Sequence, residues 1–414
     1  MKRSIGIVGA GIGGLHLALY LQKHGVDATI ITDRAADDYR HSRLLNTVAH
    51  HSVTIAREHE LGIHHWDDPK LFYYYHDHVF NFPQPLRFRG DFKNPSRAVD
   101  YRIYLPTLMN DFARRGGKIE IRKIEEDDIP ALVKRFDLLV VSTGKGALGD
   151  LFSYRPEHSP YTQPQRRLCV GLYKGVRQPD PMNVTLSVSP GHGEMIVIPT
   201  VTFDGIANAL LMENVPGGDM EVLARMRYGD NPRQFLDTLL DKLQHHHPSV
   251  YRRIDRQTFD LANGPKDLLQ GGVTPTVRHG HVALDGGKYA IALGDVQAVV
   301  DPLCGQGANM ASYAAFVLGE EIVGQPVFDA RFCEVVDAKR RDRVLGAARW
   351  TNLFLQPPSP ELMQLIGTMS QDRALCDEFT DNFNRPEAQW DRLASPQRIL
   401  AWIAEPRRPA AVAA

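Results

Sequence analysis

A glycine turn near the start of the chain has the spacing of a dinucleotide-binding loop. Gly9, Gly11 and Gly14 form the pattern GxGxxG immediately after the apolar run 5–8. This spacing allows a tight turn, a close approach of the backbone to a pyrophosphate, and close packing of the following helix on the strand. We therefore expect a phosphate-containing cofactor to bind where this helix begins.

A second glycine turn, within 301–309, repeats this design far along the chain. An apolar run ends at Asp295, and Gly305 and Gly307 precede a predicted helix that begins near Ala308. A helix N-terminus offers free backbone N–H groups and the positive end of a dipole to an electron-rich ligand. Two such N-termini directed at one ligand suit a long dinucleotide with a reactive ring at its far end, so the pair predicts FAD rather than NAD.

The elements around the first turn form a βαβ unit. The sequence predicts a strand over 5–8, a helix over 15–24 and a second strand over 28–32. The carboxylate that binds the adenosine ribose is expected at the end of the second strand. Thr32 occupies that position and Asp33 follows it, so we expect Asp33, with Arg34 beside it, to contact the adenosine half of the cofactor.

The rest of the chain predicts an α/β protein with a Rossmann-type FAD-binding domain, an interleaved antiparallel-sheet substrate domain and a helical C-terminal region. The predicted elements are a helix over 105–115, a buried strand over 137–142, antiparallel strands within 166–215, a helix over 232–245 and mostly helix over 330–414, interrupted at 357–360. The predicted domains are FAD-binding over 1–66, 92–165 and 280–325, substrate-binding over 67–91 and 166–279, and C-terminal helices over 326–414.

A second GxGxxG pattern, at 144–149, is not predicted to bind a nicotinamide. Pro156, Pro160 and Pro164 follow it, so no helix long enough for a βαβ unit fits there. We expect its small residues to let the chain pass close to the adenosine half of the flavin. Because no other NAD(P) module is recognisable, electrons are expected to arrive from another protein.

Composition narrows the classes of partner. A formal net charge of −1 gives no electrostatic preference for nucleic acid or anionic membranes, and neither is expected as a partner. No apolar run reaches the roughly 18–20 residues that span a membrane. The four cysteines lie far apart without a CxxC motif, which favours reduced thiols and a cytoplasmic location. The histidines show no HxxxH motif with a third ligand, so no metal site is expected.

Four longer stretches, at 43–50, 95–102, 305–315 and 377–384, resemble flavoprotein monooxygenases of the para-hydroxybenzoate hydroxylase fold, and within it the styrene/indole monooxygenase family. The similarity runs essentially end to end. Members of the fold that use NAD(P)H directly carry Asp-Gly where this chain has Thr143-Gly144. The resemblance therefore implies a two-component enzyme. A separate NADH-dependent flavin reductase supplies reduced FAD, which reacts with O₂ to give a C4a-hydroperoxide.

The resemblance also implies a substrate and a set of site residues. Asn46, Val48, His50, Tyr73, His76 and Ser96 match the styrene-preferring pattern of the family, which implies epoxidation of styrene and related vinyl aromatics, with indole as a secondary substrate. The expected catalytic residues are Asn46, His50, Tyr73 and His76, and the expected substrate contacts are Leu45, Val48, Ser96, Pro302 and Leu303. The expected cofactor contacts are Gly9, Gly11, Gly14, Asp33, Arg34, Arg43, Arg102, Asp295, Gly305, Gly307, Ala308 and Asn309.

Oxygen transfer to an alkene sets modest demands on the protein. The alkene has no proton to lose, so the site needs an apolar slot and the exclusion of water rather than a base. Asn46 either hydrogen-bonds the hydroperoxide or caps a turn.

Three alternatives for the function of the chain remain open: an indole monooxygenase, a single-component NAD(P)H-dependent aromatic hydroxylase, and a non-catalytic carrier. A homodimer is expected, and the C-terminal helices are expected to cover the substrate entrance or a dimer seam.

Overall fold

The computed structural model describes residues 3–46, 48–144 and 147–407. The strands are β1 (Ser4–Val8), β2 (Asp27–Thr32), β3 (Ala49–His50), β4 (Tyr73–Phe80), β5 (Leu86–Val99), β6 (Lys118–Ile121), β7 (Leu138–Val141), β8 (Arg167–Lys174), β9 (Asn183–Ser189), β10 (Gly193–Thr202), β11 (Gly205–Asn214), β12 (Asp260–Leu261), β13 (Leu268–Gly271), β14 (Thr276–Val277), β15 (His281–Leu284), β16 (Lys288–Ala292) and β17 (Ala298–Val299).

The α-helices alternate with these strands in the first half and follow one another at the end of the chain. They are α1 (Ile12–Lys23), α2 (Ala36–Arg40), α3 (Ser52–Glu60), α4 (Tyr101–Arg114), α5 (Ile129–Arg135), α6 (Val222–Arg225), α7 (Pro232–His246), α8 (Pro248–Tyr251), α9 (Gly307–Gly324), α10 (Ala330–Phe354), α11 (Pro360–Met369), α12 (Arg373–Asp381), α13 (Pro386–Leu393) and α14 (Pro396–Ala404). Among the described residues, none of these helices is both long and apolar enough to cross a membrane.

A six-stranded sheet, in the order β15-β16-β7-β1-β2-β6, carries the first glycine turn. Its strands are parallel except for β15, and β1 lies in the middle, where Ile7 is opposite Ile30 and Val140. Helices α1, α4 and α9 contribute to the core on one face, and α5 packs on the other. Coverage on both faces explains why β1 and β7 are almost continuously apolar, and the predicted Rossmann-type unit is confirmed.

A second sheet, in the order β12-β8-β11-β10-β9-β4-β5-β3, contains the antiparallel strands predicted within 166–215. These strands do not form a separate sheet, however. Strand β9 pairs in parallel with β4, and β10 pairs in parallel with the end of β5. Because β5 runs continuously across the expected boundary at 91/92, the division into domains stays a prediction.

Helices α10 to α14 confirm the predicted helical C-terminal region, and the break at 357–360 lies between α10 and α11. They share one hydrophobic core with the second sheet, in which Trp350 and Trp402 are completely buried. The aromatic residues of this region are therefore largely explained by internal packing. Just after α7, His247 is buried, and its Nδ1 lies 2.9 Å from the Ser187 hydroxyl oxygen.

Candidate active site

A cavity of about 890 Å³ lies at the carboxyl edge of the parallel sheet. Residues at or just after the ends of four strands line it, namely Val8, Thr32, Ser142 and Asp295. Ligands in open α/β sheets bind outside the carboxyl ends of the strands. The volume is near the upper end of the roughly 300–1,000 Å³ usual for ligand pockets, which suits a large cofactor together with a small substrate.

The three glycines of the first turn have three different roles. Gly9 has φ +111°, and a Cβ there would lie 2.3 Å from the Ser142 carbonyl oxygen. A Cβ on Gly14 would lie 2.3 Å from the Gly9 carbonyl oxygen, so Gly14 allows α1 to pack on β1 without lining the cavity. Gly11 lines the cavity, and a Cβ there would meet only the Ser142 oxygen, at 3.8 Å.

The second turn brings another helix N-terminus to the same cavity. The Asp301 carboxylate accepts a hydrogen bond from the Leu303 N–H, and Gly305 adopts a left-handed conformation with φ +60°. Helix α9 then begins at Gly307, and Gly305, Gly307 and Ala308 all line the cavity. Both helix N-termini thus line one cavity, and this open cradle fits an extended dinucleotide such as FAD.

Polar side chains surround one end of the cavity, where the adenosine half is expected. Asp33 and Arg34 line it, and Arg34 lies 5.7 Å from the centre of the Tyr39 ring; their contact with a cofactor stays a prediction. The segment 122–125, directly after β6, lines the same end and was missed. Its position at the carboxyl end of a strand beside β2 was the signal that would have indicated it.

The second GxGxxG pattern passes along this cavity, as predicted. Thr143, Gly144 and Leu148 line it, whereas Lys145 and Gly146 lie outside the described residues. Within 147–166 only short 3₁₀ turns follow, so this described stretch contains no α-helix that would complete a nicotinamide-binding βαβ unit.

Apolar side chains also line the cavity and form what is called here its apolar end. Leu45, Val48 and Pro302 are among them, and their contact with substrate stays a prediction. The sequence reasoning missed five further wall residues, namely Leu168, Val170, Leu211, Leu269 and Val273. Their signal was alternation, because successive side chains of a strand point to opposite faces and residues two apart share one.

Asn46 also lines the cavity, and its side-chain oxygen is unusual. The Oδ1 atom is buried and has no hydrogen-bond partner among the described residues. Buried polar atoms are nearly always hydrogen-bonded, so this oxygen on the cavity wall can accept a hydrogen bond from a group bound there. The alternative that Asn46 caps a turn through this oxygen has no support in the structure.

Four of the six family-pattern residues lie behind the cavity wall rather than on it: His50, Tyr73, His76 and Ser96. Leu303 is also off the cavity. Tyr73 is opposite Ser96 across β4 and β5, and the His76 ring lies edge-on to Phe92 and Phe383. Burial lowers the pKa of His76 well below its usual value and raises the pKa of Tyr73, so both are neutral. Direct contact of these residues with substrate stays a prediction.

His50 reaches the cavity through another side chain. Its Nδ1 lies 2.6 Å from Glu58 Oε1, and its Nε2 lies 2.9 Å from the hydroxyl of Tyr101, which does line the cavity. Burial alone would raise the pKa of Glu58, but the charges and hydrogen bonds of His50 and Arg97 lower it to about 2. Glu58 is therefore ionised in the protein interior.

Three other expected cofactor contacts do not line the cavity. Arg102 is buried and donates hydrogen bonds to Asp100 and Asp267, at 2.9 and 2.7 Å. Asn309 donates to the Ala49 carbonyl oxygen and accepts from the His51 N–H, which ties α9 to β3. Arg43 is exposed. A cofactor role for these three side chains stays a prediction.

One group of side chains among the described residues has the spacing of a metal site. The ligand atoms of His59, His64 and Asp67 lie within 4.8 Å of one another on the surface. Both imidazoles are 2.9 Å from an oxygen of the same carboxylate. Hydrogen bonds thus account for the grouping, which lies away from the cavity lining.

Comparisons with known proteins agree with this architecture. The family described as styrene monooxygenase A putative substrate binding domain matches residues 144–253, and the FAD binding domain family matches 2–63. The chain is 53% identical over 408 residues to a styrene monooxygenase StyA from Pseudomonas sp, covering 98% of each. It is 54% identical over 405 residues to a styrene monooxygenase StyA from Pseudomonas fluorescens, covering 97% of this chain and 98% of that one.

Solved structures with much lower sequence identity share the fold. The flavin-dependent brominase Bmp2 superposes with a TM-score of 0.66 at 14% identity, covering 96% of this chain and 97% of the brominase. PqsL, a probable FAD-dependent monooxygenase from Pseudomonas aeruginosa, superposes with a TM-score of 0.59 at 14% identity, covering 91% and 98%. The fold predicted from the glycine turns is thereby confirmed.

Proposed function

This chain belongs to the styrene monooxygenase StyA family, and on that premise we propose that it epoxidises styrene and related vinyl aromatics with O₂ and reduced FAD. The observation that carries the proposal is the continuity of one cavity. Its lining includes both helix N-termini, which suit a dinucleotide, and apolar side chains of β8, β11 and β13. A small aromatic alkene fits an apolar site that adjoins the reactive ring of the flavin.

The apolar end provides what this chemistry needs from the protein. Reduced FAD together with O₂ supplies an electrophilic oxygen atom. Because the alkene donates electrons and loses no proton, the chain needs no base directed at the substrate. Leu168, Val170 and Leu211 hold the alkene in place and exclude water from the reacting atoms.

Asn46 is proposed to orient the reacting oxygen. Its amide belongs to the cavity wall, and its unpartnered Oδ1 is available to a bound group. Replacement by Leu keeps a similar size but removes both hydrogen-bonding functions. We expect this variant to release more hydrogen peroxide per epoxide formed, at similar FAD affinity. An unchanged ratio of peroxide to epoxide would assign Asn46 to packing.

Electrons are proposed to come from a separate NADH-dependent flavin reductase. The absence of a nicotinamide-binding unit within 147–166 supports this proposal. The test combines purified protein, FAD, NADH and styrene, with and without a flavin reductase. Epoxide only in the presence of the reductase supports the two-component reaction, and epoxide in its absence supports a single-component hydroxylase. Chemically reduced FAD with O₂ and styrene should replace the reductase entirely. No epoxide under any condition would favour a carrier.

Preference for styrene over indole is proposed from the six-residue family pattern. Because four of the six residues lie behind the wall, we expect them to act by shaping the cavity rather than by touching substrate. Such reshaping changes the ratio of kcat/KM values by about 1–3 kcal/mol. The measurement is the ratio of styrene to indole turnover in variants carrying the indole-branch residues. An exposed-site substitution such as Lys134→Ala serves as the control.

The location and assembly are also proposals. All four cysteines are free and buried, which suits the reducing cytoplasm proposed for this protein. A homodimer is proposed as the working assembly, and light scattering at catalytic concentrations tests it.

A further inference from the structure

Glu58 is the centre of a buried hydrogen-bond network between α1, α3, α4, β3 and β5. The side chain is completely buried, yet its two oxygens have three hydrogen-bonding neighbours. Oε1 lies 2.6 Å from His50 Nδ1 and 2.7 Å from the Tyr104 hydroxyl, and Oε2 pairs with Arg97. An ionised carboxylate at this depth persists only because each of its partners is a donor.

The carboxylate fixes the direction of the hydrogen bonds around it. Because an ionised carboxylate only accepts, His50 Nδ1–H and the Tyr104 O–H both donate to Glu58. The Tyr104 oxygen is then left to accept from His16 Nε2–H, at 2.7 Å. In the same way His50 Nε2 is directed at the Tyr101 hydroxyl, at 2.9 Å. The tautomer of His16 and the position of the His50 Nδ1–H thus follow from one charge.

The resulting array places a carboxylate, an imidazole and a hydroxyl in series, with the hydroxyl on a cavity-lining residue. Carboxylate–imidazole–hydroxyl arrays move protons because the carboxylate orients the imidazole and stabilises its protonated form. We propose that Glu58, His50 and Tyr101 form a relay that delivers to the cavity the one proton consumed in each turnover. This inference rests on the proposed function.

The proton follows from the balance of the reaction. An alkene, O₂, the anion of the reduced flavin and one proton give an epoxide, oxidised flavin and water. In the relay, His50 carries a proton on each ring nitrogen before transfer; the Tyr101 O–H bond breaks towards the cavity while the Tyr101 oxygen takes the Nε2 proton, which leaves His50 neutral with its Nδ1–H on Glu58. The Nδ1–H of His50 stays on Glu58 throughout. Between turnovers, solvent in the cavity returns a proton along the same path.

The surroundings of the relay keep its members in the required state. Burial, together with the charges of Glu58 and Asp295, raises the pKa of Tyr101 well above its usual value, so its hydroxyl keeps its proton at rest. Burial lowers the pKa of His16 to about 3, so this imidazole is neutral. The titratable and charged side chains around Glu58 and His50 are His16, His51, Arg57, Arg97, Tyr101 and Tyr104.

Tyr101 and Tyr104 provide a matched pair for the test. Both are buried residues of α4, their rings stack with centroids 5.3 Å apart, and each hydroxyl bonds to one member of the Glu58–His50 pair. Only Tyr101 lines the cavity. Tyr104→Phe removes two hydrogen bonds, to Glu58 and His16, and Tyr101→Phe removes one, to His50, but only Tyr101→Phe removes the end of the relay.

The first experiment measures a single turnover of styrene with chemically reduced FAD across pH 6–9. We expect Tyr101→Phe to slow oxygen transfer by roughly 10–100-fold and Tyr104→Phe by about twofold or less, given the usual size of general-acid effects. The rate of Tyr101→Phe should also depend more steeply on pH than the wild-type rate, because its proton must come directly from solvent. Equal rates and pH profiles in the two variants would overturn the relay.

The second experiment needs no turnover. Binding of anionic reduced FAD without O₂ should be accompanied by proton uptake through the relay, and a pH indicator dye in weak buffer measures this uptake. Uptake should be reduced in His50→Gln at full flavin occupancy. Equal uptake in both proteins would overturn the relay. If the wild-type protein takes up the proton but makes no epoxide from styrene, the proposed substrate fails while the relay stands.

Discussion

Replacement of Gly11 by Ala should separate cofactor binding from folding. Gly11 lines the cavity with φ −73°, a conformation that alanine adopts freely, and its new methyl group would have no protein atom closer than 3.8 Å. The variant should fold, with the free energy of unfolding within about 1 kcal/mol of wild type. The methyl group would nevertheless occupy the space through which the pyrophosphate approaches the backbone.

The size of the binding defect follows from the hydrogen bonds at risk. A hydrogen bond between a backbone N–H and a charged phosphate contributes about 1.5–3 kcal/mol. Loss of one such bond raises the Kd for FAD by a factor of about 10–100. Quenching of flavin fluorescence in a titration with apoprotein measures the Kd, and urea unfolding of the same samples measures stability.

Gly14→Ala should behave differently, because its Cβ would lie 2.3 Å from the Gly9 carbonyl oxygen. Helix and turn must separate by about 1 Å to restore an ordinary contact, and overpacking of this kind costs about 1–3 kcal/mol. Stability and FAD binding should therefore fall together. Gly229→Ala, which meets no atom within 4 Å, is the control. Wild-type FAD affinity in a folded Gly11→Ala protein would refute this account of the turn.

Three other substitutions test the burial of charge and the shape of the cavity. The pKa of Glu58 is lowered to about 2, so its ionised form stabilises the fold fully above the unfolded-state pKa of 4.5, and this stability is lost as pH falls towards 2. The urea midpoint should therefore fall less between pH 7 and pH 3 in Glu58→Gln than in the wild-type protein. Arg102→Leu would leave the buried carboxylates of Asp100 and Asp267 without their cation and should lower the free energy of unfolding by about 3–5 kcal/mol. An unchanged thermal midpoint would contradict this role of Arg102. Leu211→Ala should enlarge the apolar end and favour bulkier vinyl aromatics by about 1–3 kcal/mol in relative kcat/KM, and competition between styrene and a larger analogue measures this.

The sequence predicted the parts of the fold that depend on local patterns. Two segments each combine a strand, a turn and a helix within a few residues: the run 5–8 with its glycine turn, and the run that ends at Asp295. Both segments line the same cavity in the structure. The pairing of β4 with β9 and of β5 with β10 was not predictable from the sequence, because pairing between distant strands leaves no short-range signal.

The candidate site shows a similar division. The family resemblance implied that Arg102 contacts the cofactor, but Asp267, which accepts a hydrogen bond from its guanidinium, lies far along the chain, and only folding brings the two together. A short strand such as β3 gave no indication of which way His50 would face. Leu168 and Val170 were within reach of sequence reasoning, because alternation along a predicted strand already marked one apolar face.

The cavity also has a consequence for biosynthesis. Its two helix N-termini come from the start of α1 and the start of α9, which are separated by most of the chain. A ribosome releases the chain from its N-terminus at about 5–20 residues per second, so Gly11 leaves the ribosome many seconds before Gly307. Until α9 docks, the first turn has only half of its ligand site. Acquisition of FAD should therefore be a late event that reports completed assembly, and nascent chains arrested before α9 should not retain the cofactor.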